Sequence, residues 1–369
     1  MKSQLSPWAS TILLSALVAA CATPTADPTQ PVATEMATQP PSVPLMTSTP
    51  TPDITPGLHK GEITSQALAN NLLGDPTTRK YYIYLPPGYD TSDKRYPVVY
   101  VLHGIFQAAE TYGRQVVIAE DSLIAEGEAR EMIVVFVDGS NRLGGSMYLS
   151  SPTIGDYETY ITKELVSEID AKYRTLSSRD SRGISGCSMG GDGAAHLALK
   201  YPDVFSVAAP VSGTYDWEAD PSWERARTLW NITPHTWEDW DKMGFWSQNY
   251  FATAAAAAAD PDKPPFYLDM PFEIIGGEAQ IVPDVYERIN ALDPAHDLLN
   301  YLNQPVRLRG LMIYHGDRDS LASVEMARRF DKSLTEMGVP HEYVEVEGGV
   351  HCKLDWAPVL EFMSDHLIQ

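Results

Sequence analysis

Residues 184–191 read Ile-Ser-Gly-Cys-Ser-Met-Gly-Gly and contain Gly-x-Ser-x-Gly, a spacing that puts Ser188 on a tight turn between a strand and a helix. Residues 182–185 suit the end of a short buried strand. Beyond the turn, Ala194, Ala195, Leu197, Ala198 and Leu199 are helix formers that run to Tyr201-Pro202, where proline stops the helix. Side chains at 186 and 190 would collide with the neighbouring strand and helix, so glycine is needed there. A serine hydroxyl attacks a carbonyl only when a base removes its proton, and the base needs an orienting carboxylate. Downstream, in the order Ser, Asp, His, come His315-Gly-Asp-Arg-Asp319 after one apolar run and Gly348-Gly-Val-His351 after another. Among the nine histidines His351 is the preferred base. His103 and His315 precede glycines at strand ends and read as structural. His196 lies on the helix after the turn and His341 precedes a strand. Asp319 is preferred to Asp317 as the acid, because the first carboxylate after a strand holds the loop.

These loops need strands to carry them. Residues 78–85 alternate and are tyrosine-rich, a strand pattern. Residues 96–102, 132–137, 204–211 and 310–314 are near-continuous apolar runs, as in strands buried on both faces. Residues 156–173 carry Ile161, Leu165 and Ile169 at helical spacing behind Asp156 as N-cap. Residues 323–337 form an amphipathic helix, 342–346 a strand and 355–367 a closing helix. The alternation predicts an α/β fold with a mainly parallel sheet and helices on both faces. Ligands bind such sheets at the carboxyl ends of the strands, where His103, Asp138, Ser188, Ser212 and Asp317 all fall. From 214 to about 305 the pattern breaks. This stretch holds six of the eight tryptophans (217, 223, 230, 237, 240 and 246) and an alanine run at 254–259, and it reads as a mostly helical insertion over the site. Most of these tryptophans are expected to pack the insertion itself, with one or two facing the site. Asp216, Glu218 and Asp220 lack a ligand-loop spacing and read as solvated, so no metal and no cofactor is expected.

The net charge of the 369 residues is -22, which argues against nucleic acid as a partner. The 44% hydrophobic content suits a large core. Residues 1–21 read as a signal segment: Lys2, a short apolar run at 12–20, and Val18-Ala-Ala-Cys21, similar to the lipobox of bacterial lipoproteins, in which Cys21 would carry lipid. An ordinary secretory cleavage near Ala20-Cys21-Ala22 is the alternative. Residues 22–56 are rich in Thr, Pro, Ala and Gln, the composition of a disordered tether. The expectation is thus an exported protein, at the cell surface or in the periplasm, meeting the membrane only through Cys21, with one folded domain at 57–369. Its oligomeric state is not legible.

The folded domain resembles the esterase D-like group of α/β-hydrolases, which takes in S-formylglutathione hydrolases, feruloyl and acetyl-xylan esterases, enterochelin esterases and mycolyltransferases. The matching segments are Tyr82-Ile-Tyr-Leu-Pro-Pro-Gly-Tyr89, Val101-Leu-His-Gly104, Gly155-Asp-Tyr-Glu158, Gly186-Cys-Ser-Met-Gly-Gly191, His315-Gly-Asp-Arg-Asp319, and His351 with Trp356. The resemblance implies an α/β-hydrolase fold and a serine carboxylic-ester hydrolase. Its triad would be Ser188, Asp319 and His351, with oxyanion donors at the N–H groups of Ile105 and Met189. Phe106, Trp217 and Trp356 are candidate substrate contacts. The implied partner is a small or polysaccharide-linked ester, feruloyl or acetyl among the possibilities. A mycolyltransferase-type acyltransferase would use the same triad, a peptidase is possible on this fold, and a binding lipoprotein without activity is the remaining alternative. The insertion departs from the compact members, so no subfamily's substrate carries over. Cys187 and Cys352 flank Ser188 and His351. Their Cys-Ser, Asp, His-Cys order is similar to the tannase and fungal feruloyl esterase group, in which the two cysteines are joined; two unpaired small side chains is the other possibility.

Overall fold

A computed structural model describes residues 57–369; the signal segment, Cys21 and the tether lie outside the described residues. Eight strands form the central sheet: β1 (Leu58–Thr64), β2 (Thr78–Tyr84), β3 (Val98–Leu102), β4 (Ile133–Val137), β5 (Arg182–Cys187), β6 (Val207–Val211), β7 (Gly310–Gly316) and β8 (Glu342–Val346). Their spatial order is β1-β2-β4-β3-β5-β6-β7-β8. β1 and β2 pair antiparallel, as do β2 and β4; every other neighbouring pair is parallel. Six parallel strands therefore present their carboxyl ends along one edge.

Strand periodicity divides the core in two. On β3, Val98, Tyr100 and Leu102 face one layer while Val99 and Val101 face the other. The same alternation separates Val135 from Val134 and Phe136 on β4, and Ile313 from Met312 and Tyr314 on β7. Both faces are covered, which is why these strands read as unbroken apolar runs. One layer is closed by helices Gly113–Glu126 and Ala357–His366. The other is closed by the helix Met189–Lys200 that follows the serine turn, by the 157–172 helix, by Val324–Glu336 and by the segment at 214–305.

Several elements differ from the sequence expectation. β1 escapes pattern reading because it is an edge strand, exposed at His59, Lys60 and Glu62, with no apolar run. Helix Gly113–Glu126 was also not anticipated. The 156–173 helix is capped as expected by Asp156, whose carboxylate accepts the N–H of Thr159 at 2.9 Å, but its middle (Tyr160–Leu165) is a π-helix. The 214–305 stretch is mainly helical, with Ser222–Leu229, Trp237–Asp241, Phe245–Ala257, Pro283–Asn290 and Pro294–Tyr301. It also holds an unpredicted hairpin, Phe272–Ile275 with Glu278–Ile281.

Candidate active site

Ser188 sits between β5 and its helix with φ 61° and ψ −125°, a conformation that costs a non-glycine residue of order 1–3 kcal/mol. Close approach of the backbone permits it. A Cβ at Gly186 would lie 2.5 Å from the carbonyl oxygen of Gly190, and one at Gly190 would lie 2.2 Å from that of Leu102. Side chains at either position would push the turn off the sheet.

His351 follows β8. Its Nδ1–H donates to Asp319, 2.8 Å from Oδ2 and 3.0 Å from Oδ1, which leaves Nε2 as the basic nitrogen. The Asp319 side chain is fully shielded from solvent. Burial pushes its carboxyl up, but the bond to His351 and the N–H groups of Leu321 and Ala322, each at 2.9 Å, hold it below the ordinary carboxylate range. It therefore stays ionised and fixes the tautomer of His351. Asp317 does a different job: it accepts the N–H of Gly348 at 2.6 Å and pins the loop that carries His351.

The other strand-end histidines brace the site. His103 donates from Nδ1 to the Gly104 carbonyl at 2.8 Å and accepts the Gly139 N–H at Nε2, 3.0 Å away, so it ties the His-Gly loop to the loop after β4. His315 donates from Nε2 to the Ala322 carbonyl at 3.0 Å, and burial pushes its imidazole down, keeping it neutral beneath the acid loop. His196 is buried between Asp297 (2.6 Å) and Glu158 (3.3 Å), away from the serine.

Ile105, Met189, Ser188 and His351 line one cavity together with Met147, Asp192, Thr214, Asp220, Ser222, Phe245, Trp246, Asn249, Leu321 and Ala322. Met189 heads its helix, where the first-turn N–H groups have no carbonyl one turn back. Gly104 lets the His-Gly loop come close, since a Cβ there would be 3.3 Å from that of Ser188. The N–H groups of Ile105 and Met189 are thereby available to an oxyanion. Phe106, also expected as a contact, is not among the residues lining the cavity; it is 40% exposed and lies 5.8 Å from the ring of Phe245, which is.

Two expected contacts are corrected. Trp217 is buried in the core with its backbone N–H on Asp293, and Trp356 packs against Tyr112 at 5.4 Å; neither reaches the cavity. Of the insertion's tryptophans, Trp246 does. It is held between Phe245 and the guanidinium of Arg225, which bonds the Ser320 carbonyl next to the acid. Asp220 is not solvated as its spacing suggested. It turns inward, accepts the Ser222 N–H at 2.8 Å and the Tyr250 hydroxyl at 3.2 Å, and burial raises its pKa. Asp216 is paired with Arg329 at 2.7 Å. Asp192 went unnoticed in sequence because it lies one residue beyond the glycine motif. It accepts the N–H and the hydroxyl of Thr214, and burial pushes it up to about 7. A second cavity of about 620 Å³, lined by Phe266, Met270 and Arg288 among others, lies wholly within the insertion and shares no residue with the Ser188 cavity.

Cys187 and Cys352 are bonded in a disulfide. Ser188 and His351 converge on one cavity, so their chain neighbours are brought close enough to bridge.

The strand order, the serine turn and the loop placement define an α/β-hydrolase fold. Residues 76–257 match the family model described as putative esterase, which supports the esterase D-like resemblance read from the motifs. An esterase of Mycobacterium tuberculosis is 32% identical over 141 residues, 36% of this chain and 28% of that protein. The endo-1,4-beta-xylanase/feruloyl esterase of Xylanibacter ruminicola is 29% identical over 137 residues, 36% of this chain and 19% of that protein. An uncharacterized Bacillus subtilis protein is 26% identical over 151 residues, and the chain spans 58% of its length. The chain thus spans less than two thirds of each of these relatives, from 19% to 58% of their length. Among solved structures, a ferulic acid esterase superposes with TM-score 0.56 at 20% identity, over 84% of this chain and 98% of its own. An S-formylglutathione hydrolase of Agrobacterium tumefaciens superposes with TM-score 0.54 at 17% identity, over 86% and 98%. At these identities the likeness is one of fold.

Proposed function

We propose that the protein is a serine carboxylic-ester hydrolase that works through an acyl-enzyme. The observation that carries this reading is the chain of contacts Asp319–His351 beside a strained Ser188 in one cavity. His351 Nε2 takes the proton of Ser188 Oγ as Oγ bonds to the ester carbonyl carbon. The carbonyl electrons move onto oxygen, where the N–H groups of Ile105 and Met189 stabilise the charge. One such donor is worth roughly 3 kcal/mol in the transition state. The carbon–alkoxy bond then breaks, and the imidazolium returns the proton to the departing alcohol. Water repeats the sequence on the acyl-enzyme and releases the acid. Asp319 keeps its charge throughout and stabilises the imidazolium.

Esters of extracellular polymers are the proposed setting. The signal-like residues 1–21 and the disulfide both suit an exported protein, and a lipid on Cys21 with a tether at 22–56 would hold the domain at 57–369 away from a membrane. No helix among the described residues is long and apolar enough to cross a membrane. The relative from Xylanibacter ruminicola is named for xylan and feruloyl chemistry. Acetyl and feruloyl esters both fall within the reading and differ in acyl size. Hydrolysis of p-nitrophenyl acetate by the wild type and by Ser188→Ala tests it; a wild type with no esterase activity, or a variant with full activity, would remove it.

A further inference from the structure

The cavity beside Ser188 is partly open and small, about 50 Å³. Pockets that hold drug-sized ligands run to roughly 300–1,000 Å³. So small a space favours a short chain over a phenyl ring carrying a propenoyl arm.

Which part of the ester must fit here follows from the mechanism. His351 protonates the departing alcohol, and Val350 beside it is 41% exposed, so the alcohol leaves on the open side. The acyl group stays on Ser188 and must occupy the enclosed part. Phe245, Trp246 and Leu321 line the cavity, and the two rings are packed against neighbours. Phe245 lies between Phe106 and Trp246 in tilted and edge-on ring contacts, and Arg225 ties Trp246 to the loop of Asp319.

Polar side chains make up half of the lining residues. Asp192 and Thr214 come from the elbow helix and the end of β6, and Asp220, Ser222 and Asn249 from the insertion. Asp192 and Asp220 are already hydrogen-bonded by Thr214, Ser222 and Tyr250, yet a carboxylate offers about four acceptor sites, so each keeps capacity for a further donor. The side-chain amide of Asn249 makes no hydrogen bond among the described residues. A plain alkyl chain would cover these groups without replacing the water they bind, which is costly. A hydroxyl on the chain could donate to a carboxylate and accept from the amide.

We propose that this site, on the ester-hydrolase reading above, selects a short hydroxyacyl group over long alkyl and hydroxycinnamoyl groups, with Asn249, Asp220 and Trp246 setting the choice. The class of reaction that supplies such a substrate is the esterification of a small hydroxy acid, and the product is that free acid.

Methyl esters share one leaving alcohol, so differences among them report on the acyl side. Rates of acid release from methyl 3-hydroxybutyrate, butyrate, octanoate and ferulate, followed at constant pH, test the proposal. The hydroxybutyrate should exceed the butyrate in kcat/KM by about tenfold, the worth of one good hydrogen bond. Octanoate and ferulate should fall below butyrate by about a hundredfold or more. Asn249→Leu should reduce the hydroxybutyrate-to-butyrate ratio to near one, and Trp246→Ala should raise octanoate relative to butyrate. Octanoate or ferulate turned over as fast as butyrate overturns the size limit. Butyrate matching hydroxybutyrate, or a ratio unmoved in Asn249→Leu, overturns the polar selection. If the folded wild type also leaves p-nitrophenyl acetate intact, the hydrolase reading itself has failed, and the proposal with it.

Discussion

Cys187, the residue before Ser188, is joined to Cys352, the residue after His351, with their Cα atoms 5.9 Å apart. The bond fastens the loop of His351 to the turn of Ser188 across 165 residues of sequence. Cys352 sits at φ 54°, a backbone setting that needs support from its surroundings. The double variant Cys187→Ala/Cys352→Ala should lose about 2–5 kcal/mol of stability, seen as a lower denaturant midpoint, because the cross-link restrains the unfolded chain. Its kcat should fall more than its KM rises, since the loss is in the mutual placement of Ser188 and His351. Unchanged kcat and midpoint would show that the bridge does neither job.

Ser188→Ala and His351→Ala should each reduce kcat by at least about ten-thousandfold while circular dichroism and the melting temperature stay near wild type. The two changes combined should cost little more than either alone, because the groups act as a unit. Additive losses in the double variant would argue against a shared proton transfer.

Asp319→Asn should lower kcat by about ten-thousandfold, since an amide leaves His351 in the wrong tautomer. Asp317→Asn loses only one bond to the Gly348 N–H and should cost less than about tenfold. The reverse order of these two variants in a steady-state assay would move the acid to Asp317.

The stability of the fold should depend on pH through His196. Burial pushes its imidazole down, but Asp297 and Glu158 outweigh that and raise it to about 9 from an ordinary 6.5. Its contribution is therefore complete below about pH 6.5 and is lost as pH rises through about 9. Burial likewise raises Glu158, while His196, Lys200 and Tyr201 draw it down to about 2, so its share is present above the usual carboxylate range and fades as pH falls from about 4.5 to 2. Denaturant midpoints measured from pH 6 to 10 should decline for the wild type and decline less in His196→Gln, where Asp192 and Glu120, raised to about 7 and about 8 by burial, still titrate. A flat wild-type curve would mean that the imidazole is uncharged in the fold.

Cys21→Ser should release the protein from membranes in fractionated cells if lipid on that residue is the anchor. Membrane association that survives the substitution would reject the anchor.

Short-range physics made the catalytic candidates legible. A turn tight enough to hold Ser188 leaves no room for Cβ atoms at 186 and 190, so the glycines advertise it. Strands β3 to β7 sit between two layers of side chains, and burial on both faces writes itself into the chain as apolar runs. The order Ser188, Asp319, His351 and the strand-end position of each loop followed from those runs. The edge strand β1 left no such mark, because one side of it meets water. The cavity wall was equally invisible. Asp192, Asp220, Phe245, Trp246 and Asn249 acquire their roles only when the 214–305 stretch folds back over the sheet, and no local pattern distinguishes Trp246 from Trp217, which the same folding buries. Spacing along the chain encodes which backbone shapes are possible; which side chains share a cavity depends on long-range packing, and that packing has no period.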